Sequence, residues 1–329
     1  MKKIINILCV AILILSSCKK DSIVFVPDPG QQLDSAWVTS INDQNKIAEL
    51  IKSILPPPPV TDTTEILLKD TTFVHKDLFD IIIPPGTLKG STSGDVTGKV
   101  SYMFFLLQKK GDFIRLQQST LNNDKFLLNS GGGFFIRFFR GSEELNLNTG
   151  KNIIVRYNDP LPLQNMKVFY GADNISTSTP INTNTTWTNS TSATYVKLIQ
   201  RKFNTTASYG YEVSTDRLRW VNAALNLSTS TGLVNLSAYV PDLFSNANTQ
   251  AFIIFKDQRT VVKLSGEPGS RKFIAPNIPL NKAAIIITIS KVASDYFLGT
   301  QEIITSDKPI EVKPIIGGLD RILSYLNTL

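Results

Sequence analysis

The chain opens with an apolar run, Ile4 to Leu15, broken only by Asn6. As a helix those residues would span roughly 18 Å, short of the about 30 Å hydrocarbon core of a bilayer. Behind Lys2 and Lys3 the run reads as the core of a signal peptide over residues 1–17. A helical stripe follows. Ile47, Leu50, Ile51 and Ile54 fall at i, i+3, i+4 and i+7, predicting a helix from about Asp43 to Leu55 capped by Asn42. Pro56 to Pro59 ends it and starts a stiff extended segment. From residue 72 the pattern turns to short β-rich runs between turn signals. Phe79–Ile83 is stopped by Pro84-Pro85-Gly86. Val100–Leu107 leads through a turn at Lys109–Asp112 into Phe113–Gln117. Phe134–Phe139 and Asn152–Tyr157 complete the first group. Strands resume at Tyr195–Lys202 and Ser208–Val213. They continue at Leu233–Val240, Ala251–Phe255, Thr260–Leu264, Ala284–Ile289, Tyr296–Ile304 and Ile310–Lys313.

Runs of this length with regular turns predict an all-β chain of two β-sandwich domains in tandem. The expected division is a signal peptide over 1–17, a tether with a short helix and Pro-rich segment over 18–71, and a first sandwich over 72–158. A seam with edge strands follows over 159–213, where sixteen of the twenty-one residues from Asn174 to Thr194 are Ser, Thr or Asn. The second sandwich is expected over 214–314. A short amphipathic helix closes the chain over 315–329, with Ile322, Tyr325 and Leu326 as its apolar face.

Composition narrows the classes. Among 329 residues there are two Cys and one His, too few for zinc-finger arrays or a disulfide scaffold. Losing residues 1–17 takes away Lys2 and Lys3, so the net charge falls from +7 to +5. With no dense Lys/Arg block after Lys19-Lys20, nucleic acid is not an expected partner.

Leu15-Ser16-Ser17-Cys18 resembles a bacterial lipobox, which implies cleavage before Cys18 and acylation of its sulfur and amine. Each buried CH₂ contributes about 0.8 kcal/mol, so several chains anchor stably in membrane lipid where one would not. Cys18-Lys19-Lys20-Asp21 is similar to the start of many Bacteroidetes lipoproteins, in which a charged stretch beside the Cys accompanies export to the outer face of the outer membrane. Surface display is the expectation, and an outer-membrane position facing the periplasm the alternative. Asp-Ser/Thr tripeptides place candidate O-glycosylation at Ser22, Ser35, Thr63 and Thr71, resembling the acceptor of the same bacterial group.

Ile83-Pro84-Pro85-Gly86-Thr87-Leu88, Val96-Thr97-Gly98-Lys99-Val100 and Ser130-Gly131-Gly132-Gly133-Phe134, with Leu145 and Gly150, resemble the β domain shared by ankyrins and netrin receptors. The resemblance covers about residues 72–157. The His-Phe-Ser/Thr self-cleavage tripeptide of some relatives is missing, so autoproteolysis does not carry over. Asp216 to Asn222, Pro241, Phe252 to Asp257 and Asn277-Ile278-Pro279 resemble a C-terminal module of Bacteroidetes lipoproteins, with Ala223 where relatives often carry Cys. A sandwich of carboxypeptidase-regulatory or fibronectin-like shape is expected there.

Chemistry is sparse. His75 has Asp77 and Asp80 nearby in sequence but no nucleophile elbow, and is expected at the surface or on an edge strand. Glu143-Glu144 falls in an expected hairpin turn. No catalytic residue, metal ligand set or cofactor motif is assigned. Aromatics in or beside the polar seam, Trp187, Tyr209 and Tyr211, are the candidate ligand-binding residues, since flat rings stack on sugars. The expected function is a non-enzymatic, lipid-anchored binding or scaffolding module of the cell envelope. A glycan or an outer-membrane protein is its expected partner, in uptake or adhesion. The alternatives are a glycan hydrolase without a recognisable motif and a structural spacer.

Overall fold

The structure is a computed structural model describing residues 35–91, 94–172, 186–203, 206–227 and 232–329. Cys18 and Ser22, and the signal peptide and first part of the tether, lie outside the described residues. Three helices are described: α1 (Lys46–Ile54), α2 (Lys110–Arg115) and α3 (Gly318–Thr328). The strands before residue 227 are β1 (Val60–Ile66), β2 (Thr72–His75), β3 (Phe79–Ile83), β4 (Leu88–Lys89), β5 (Gly98–Leu107), β6 (Leu128–Arg140), β7 (Glu143–Leu147) and β8 (Ile153–Asn158). They continue with β9 (Lys167–Gly171), β10 (Trp187–Asn189), β11 (Tyr195–Phe203), β12 (Thr206–Thr215) and β13 (Arg219–Asn226). The remainder are β14 (Leu233–Tyr239), β15 (Thr249–Phe255), β16 (Val261–Glu267), β17 (Lys272–Pro279), β18 (Ala283–Val292), β19 (Asp295–Ile304), β20 (Ile310–Glu311) and β21 (Ile315–Ile316).

The all-β sandwich architecture holds. In the first sandwich one sheet runs β1-β5-β6-β13-β9-β10, with β7 beside β6 and β4 beside β7, and the facing sheet runs β11-β12-β8-β3-β2. Between them lie Phe104, Phe134, Phe138, Ile81, Val155, Tyr157 and Tyr211, all at most 1% exposed. The second sandwich is one curled sheet, β20-β14-β17-β16-β15-β18-β19-β21. It bends where β16 changes partner midway: Val261 to Leu264 pair with β15, and Ser265 to Glu267 with β17.

The boundaries fall elsewhere than the pattern suggested. β9 to β13, expected in the seam and at the start of the second domain, all pair into the first sandwich. The first sandwich therefore runs to Asn226, and polar composition alone marked a division that hydrogen bonding ignores. The tether also shortens. Trp37 packs on Phe273 with ring centroids 5.0 Å apart. Asn246 holds the backbone of Val38, donating to its O at 2.6 Å and accepting from its N at 2.9 Å. Residues 60–66, read as tether, form the edge strand β1 on β5. Phe113–Gln117, read as a strand, begins in α2, because the Asp112 carboxylate accepts from the backbone N–H of Gln108 and Lys109 at 2.9 and 2.8 Å. Gly111 is required there, since a Cβ would lie 1.8 Å from the Leu326 carbonyl oxygen of α3.

A third core joins the two sandwiches. Strands covered on both faces read as continuous apolar runs rather than alternating ones, and β5, β6 and β15 do so. On β6 Phe134 and Ile136 point into the first sandwich, while Phe135 points out of it. On β15 Ala251 and Ile253 face the second sandwich, while Phe252 and Ile254 point out of it. The outward residues meet each other and Leu50, Ile54, Phe113, Ile114, Ile322 and Leu326 of the three helices. Each large apolar side chain buried there contributes about 1.5–3 kcal/mol. Backbone bonds reinforce the junction: Thr120 N donates to Val261 O at 2.7 Å and Ser130 N to Arg259 O at 3.1 Å. Residues 35–329 accordingly form one compact unit.

Candidate functional site

A cavity of about 490 Å³ opens at the edge of this junction core. One wall is α1 and the segment after it, Ala48, Ile51, Leu55 and Pro56 to Pro59. The other wall is the outward face of the first sandwich, Phe105, Phe135 and Trp220, together with Leu116 at the end of α2. Strand alternation explains the aromatic wall. Val221 and Ala223 of β13 fill the first core, so Trp220 and Ala224 point outward. Trp220 lies opposite Phe135 in the ladder, with ring centroids 4.8 Å apart. The helix stripe splits similarly: Ile47, Leu50 and Ile54 are buried, whereas Ile51 is left half-buried on the cavity. Proline cannot continue the helix, so Pro56–Pro59 leaves as an extended rim. Asp43 and Lys52 are the charged residues of the lining.

Trp220 also lines a more polar cleft of about 590 Å³ on the Asp216–Arg219 bend, with Lys89, Asn146, Tyr170 and Thr188. There the Tyr170 hydroxyl donates to Asp216 at 2.5 Å. Burial, reinforced by the Asp216 carboxylate, pushes the phenol up to about 12.

The three aromatics expected to bind ligand do not form one surface. Trp187 is fully buried in the junction core, and its indole N–H donates to Ser119 O at 2.8 Å. Tyr211 is fully buried in the first sandwich, its ring against Gly131 and 5.7 Å from that of Tyr157. Its hydroxyl accepts from Leu163 N at 2.6 Å, and burial pushes the phenol up to about 12. Tyr209 shares the strand face of Tyr211 but lies one residue beyond the last β8–β12 pair, and is 56% exposed. Trp187 and Tyr211 thus serve packing, because the polar sequence around Trp187 flanks a short strand whose Trp turns inward. The glycosylation candidates also differ. Thr63 is exposed on β1, whereas Ser35 and Thr71 are half-buried.

His75 stands exposed on the edge strand β2, its Nδ1 2.5 Å from Asp80 Oδ1. The Glu143-Glu144 pair is occupied. Glu144 takes a two-point contact from Arg137, at 2.8 and 2.6 Å. Glu143 accepts from the Ser91 hydroxyl and backbone and from Arg140, and these donors hold its carboxyl at about 2. A carboxyl held so low is ionised at neutral pH and cannot act as a general acid there. Among the described residues no group of three or more His, Cys, Asp or Glu could hold a metal, and no helix is long and apolar enough to cross a membrane. The cavity beneath Pro56–Pro59 was not assigned from sequence; the doubled aromatics Phe104-Phe105 and Phe134-Phe135 were the available signal. No protein family, curated protein or solved structure matches this chain.

Proposed function

We propose that the protein is a non-enzymatic binding module of the cell envelope, anchored in outer-membrane lipid through an acylated Cys18. Its ligand is a small amphipathic molecule held in the cavity between α1 and Trp220. The cavity carries this reading. Small-molecule sites are concave, of about 300–1,000 Å³, mostly apolar, with a few polar groups that orient the ligand. A cavity of about 490 Å³ walled by Phe105, Phe135, Trp220, Ile51 and prolines, with Lys52 and Asp43 in its lining, has that make-up. The glycan reading loses ground, because of the three candidate aromatics Trp187 and Tyr211 are buried and Tyr209 alone offers its ring to solvent.

The test is saturable binding of the apolar fluorophore N-phenyl-1-naphthylamine, read by its emission. Ile51→Asp places a charge on the apolar wall and is expected to weaken binding at least about tenfold, or about 1.4 kcal/mol. Tyr209→Ala is expected to leave it unchanged. No saturable binding to the unmodified protein, or binding indifferent to Ile51→Asp in a folded variant, overturns the cavity as the site. Anchoring is tested separately. Protease treatment of intact cells is expected to release the β domains and leave acylated Cys18 behind, and a Cys18→Ala chain is expected to leave the membrane fraction.

A further inference from the structure

A second cavity, of about 230 Å³, lies where β16 leaves β15 and joins β17, beneath residues 39–47. Lys263 lines it and is the sole charged residue in its lining. Alternation along β16 sends Val262 and Leu264 into the second core, and Lys263 to the opposite face with Val261. There the residue is half-buried, and its backbone N–H bonds to Ser119 Oγ at 2.9 Å. No ion pair or hydrogen bond holds its ammonium among the described residues.

The charged side chains on the elements around it are engaged elsewhere or do not line the cavity. Lys46 pairs with Glu49, Asp112 caps α2, and Arg115 bonds to α3. Asp43, Lys110, Glu267 and Lys272 do not line the cavity. Burial alone pulls the Lys263 amine down to about 8. A second donor lies on the same wall. Gln250 sits diagonally across the β15–β16 ladder from Lys263, and its carbonyl oxygen accepts from Gln117 Nε2 at 2.5 Å. Its own amide nitrogen is buried without a partner. A half-buried cation without a counter-ion and a buried N–H without an acceptor are both costly, and one acceptor anion offsets both.

We propose that this cavity is a binding site for a small monocarboxylate, with Lys263 as its counter-ion and the Gln250 amide as a second donor. One positive charge matches one negative charge, so a phosphate dianion would remain half-compensated. Thr39, Asn246, Thr249 and Ser265 supply polar walls for a hydroxylated body, and Ile41, Ile47 and Phe273 apolar ones.

Pulse acetylation with acetic anhydride across a pH series, read by mass spectrometry, gives the titration midpoint of Lys263 in the full chain. D-Glucuronate is the carboxylate probe, D-glucose the neutral control and inorganic phosphate the dianion control. Glucuronate is expected to raise the midpoint by about one unit or more, a tenfold shift in protonation. Glucose is expected to leave it in place. Lys263→Met is expected to abolish the thermal stabilisation by glucuronate, and Lys263→Arg to retain part of it. A midpoint unmoved by saturating glucuronate overturns the proposal, as does undiminished stabilisation in a folded Lys263→Met variant. An equal effect of phosphate overturns the assignment to carboxylates.

Discussion

The ion pair between Asp159 and Arg259 offers a direct test of the junction. Asp159 follows β8 in the first sandwich and is 3% exposed. Arg259 stands in the turn between β15 and β16 of the second and donates to it at 2.9 and 3.3 Å. Leu161 N adds a third bond to the carboxylate at 3.1 Å. Asp159→Ala leaves a guanidinium without its acceptor, and Arg259→Met leaves a buried carboxylate with one donor. Breaking a buried pair from either side costs about 3–5 kcal/mol, whereas replacing both partners by apolar groups is often near neutral. The double variant is therefore expected to lose no more than the worse single variant. That makes the coupling energy at least about 3 kcal/mol. Urea unfolding followed by tryptophan emission and by circular dichroism measures it. Both probes should give one coincident transition, because each sandwich contributes to the same junction core. Single costs that add within about 0.5 kcal/mol would refute the pairing. Two separated transitions in the unmodified protein would refute the fused unit itself.

Three further outcomes follow from particular contacts. Gly111→Ala drives a Cβ into the Leu326 carbonyl; it should cost about 1–3 kcal/mol and expose α3 to limited proteolysis. Trp187→Phe removes the donor to Ser119 O and should cost about 1–3 kcal/mol in urea midpoints, without affecting binding of N-phenyl-1-naphthylamine. The Lys263 amine is held at about 8 in the folded protein against about 10.4 unfolded. Between those values the unfolded chain binds more protons, so stability should rise with pH across that window, by up to about 3 kcal/mol. Lys263→Met should flatten the rise, as measured by urea midpoints at about pH 7.5 and about pH 10.

The sequence revealed strands more readily than their partners. Turn residues and β-branched runs mark β3, β5, β8, β14 to β16, β18 and β19 closely, because those signals are local, whereas β17, with Pro276 and Pro279 in its run, carries no such mark. Partner choice is not. The seam from 159 to 213 reads as a separate segment with edge strands, yet β11 and β12 form a hairpin built into the first sandwich, its register completed by β8, far back in the chain. The runs from Val100 to Leu107 and from Phe134 to Phe139 did carry a non-local message. A strand with one wet face alternates, and these do not, so both faces of their sheet are covered. What covers the second face is invisible locally, because Phe252, Trp187 and Ile322 come from separate stretches of chain. The binding aromatics failed for a related reason: a Trp among Ser and Thr looks exposed until the fold supplies Ser119 O as the partner of its N–H.

The two cavities proposed to bind ligands lie where elements of separate origin meet, rather than within either sandwich. The larger needs α1 and Pro56–Pro59 laid against the outward face of β5, β6 and β13. The smaller needs residues 39–47 laid over the bend of β16. Residues 37–66 therefore do more than act as a tether. From Trp37 to Ile66 the segment is packed, hydrogen-bonded or β-paired along both sandwiches. Its contacts form a wall of each cavity. Occupancy of either one is then coupled to how firmly this segment docks, since a ligand that binds the docked form alone stabilises it by mass action.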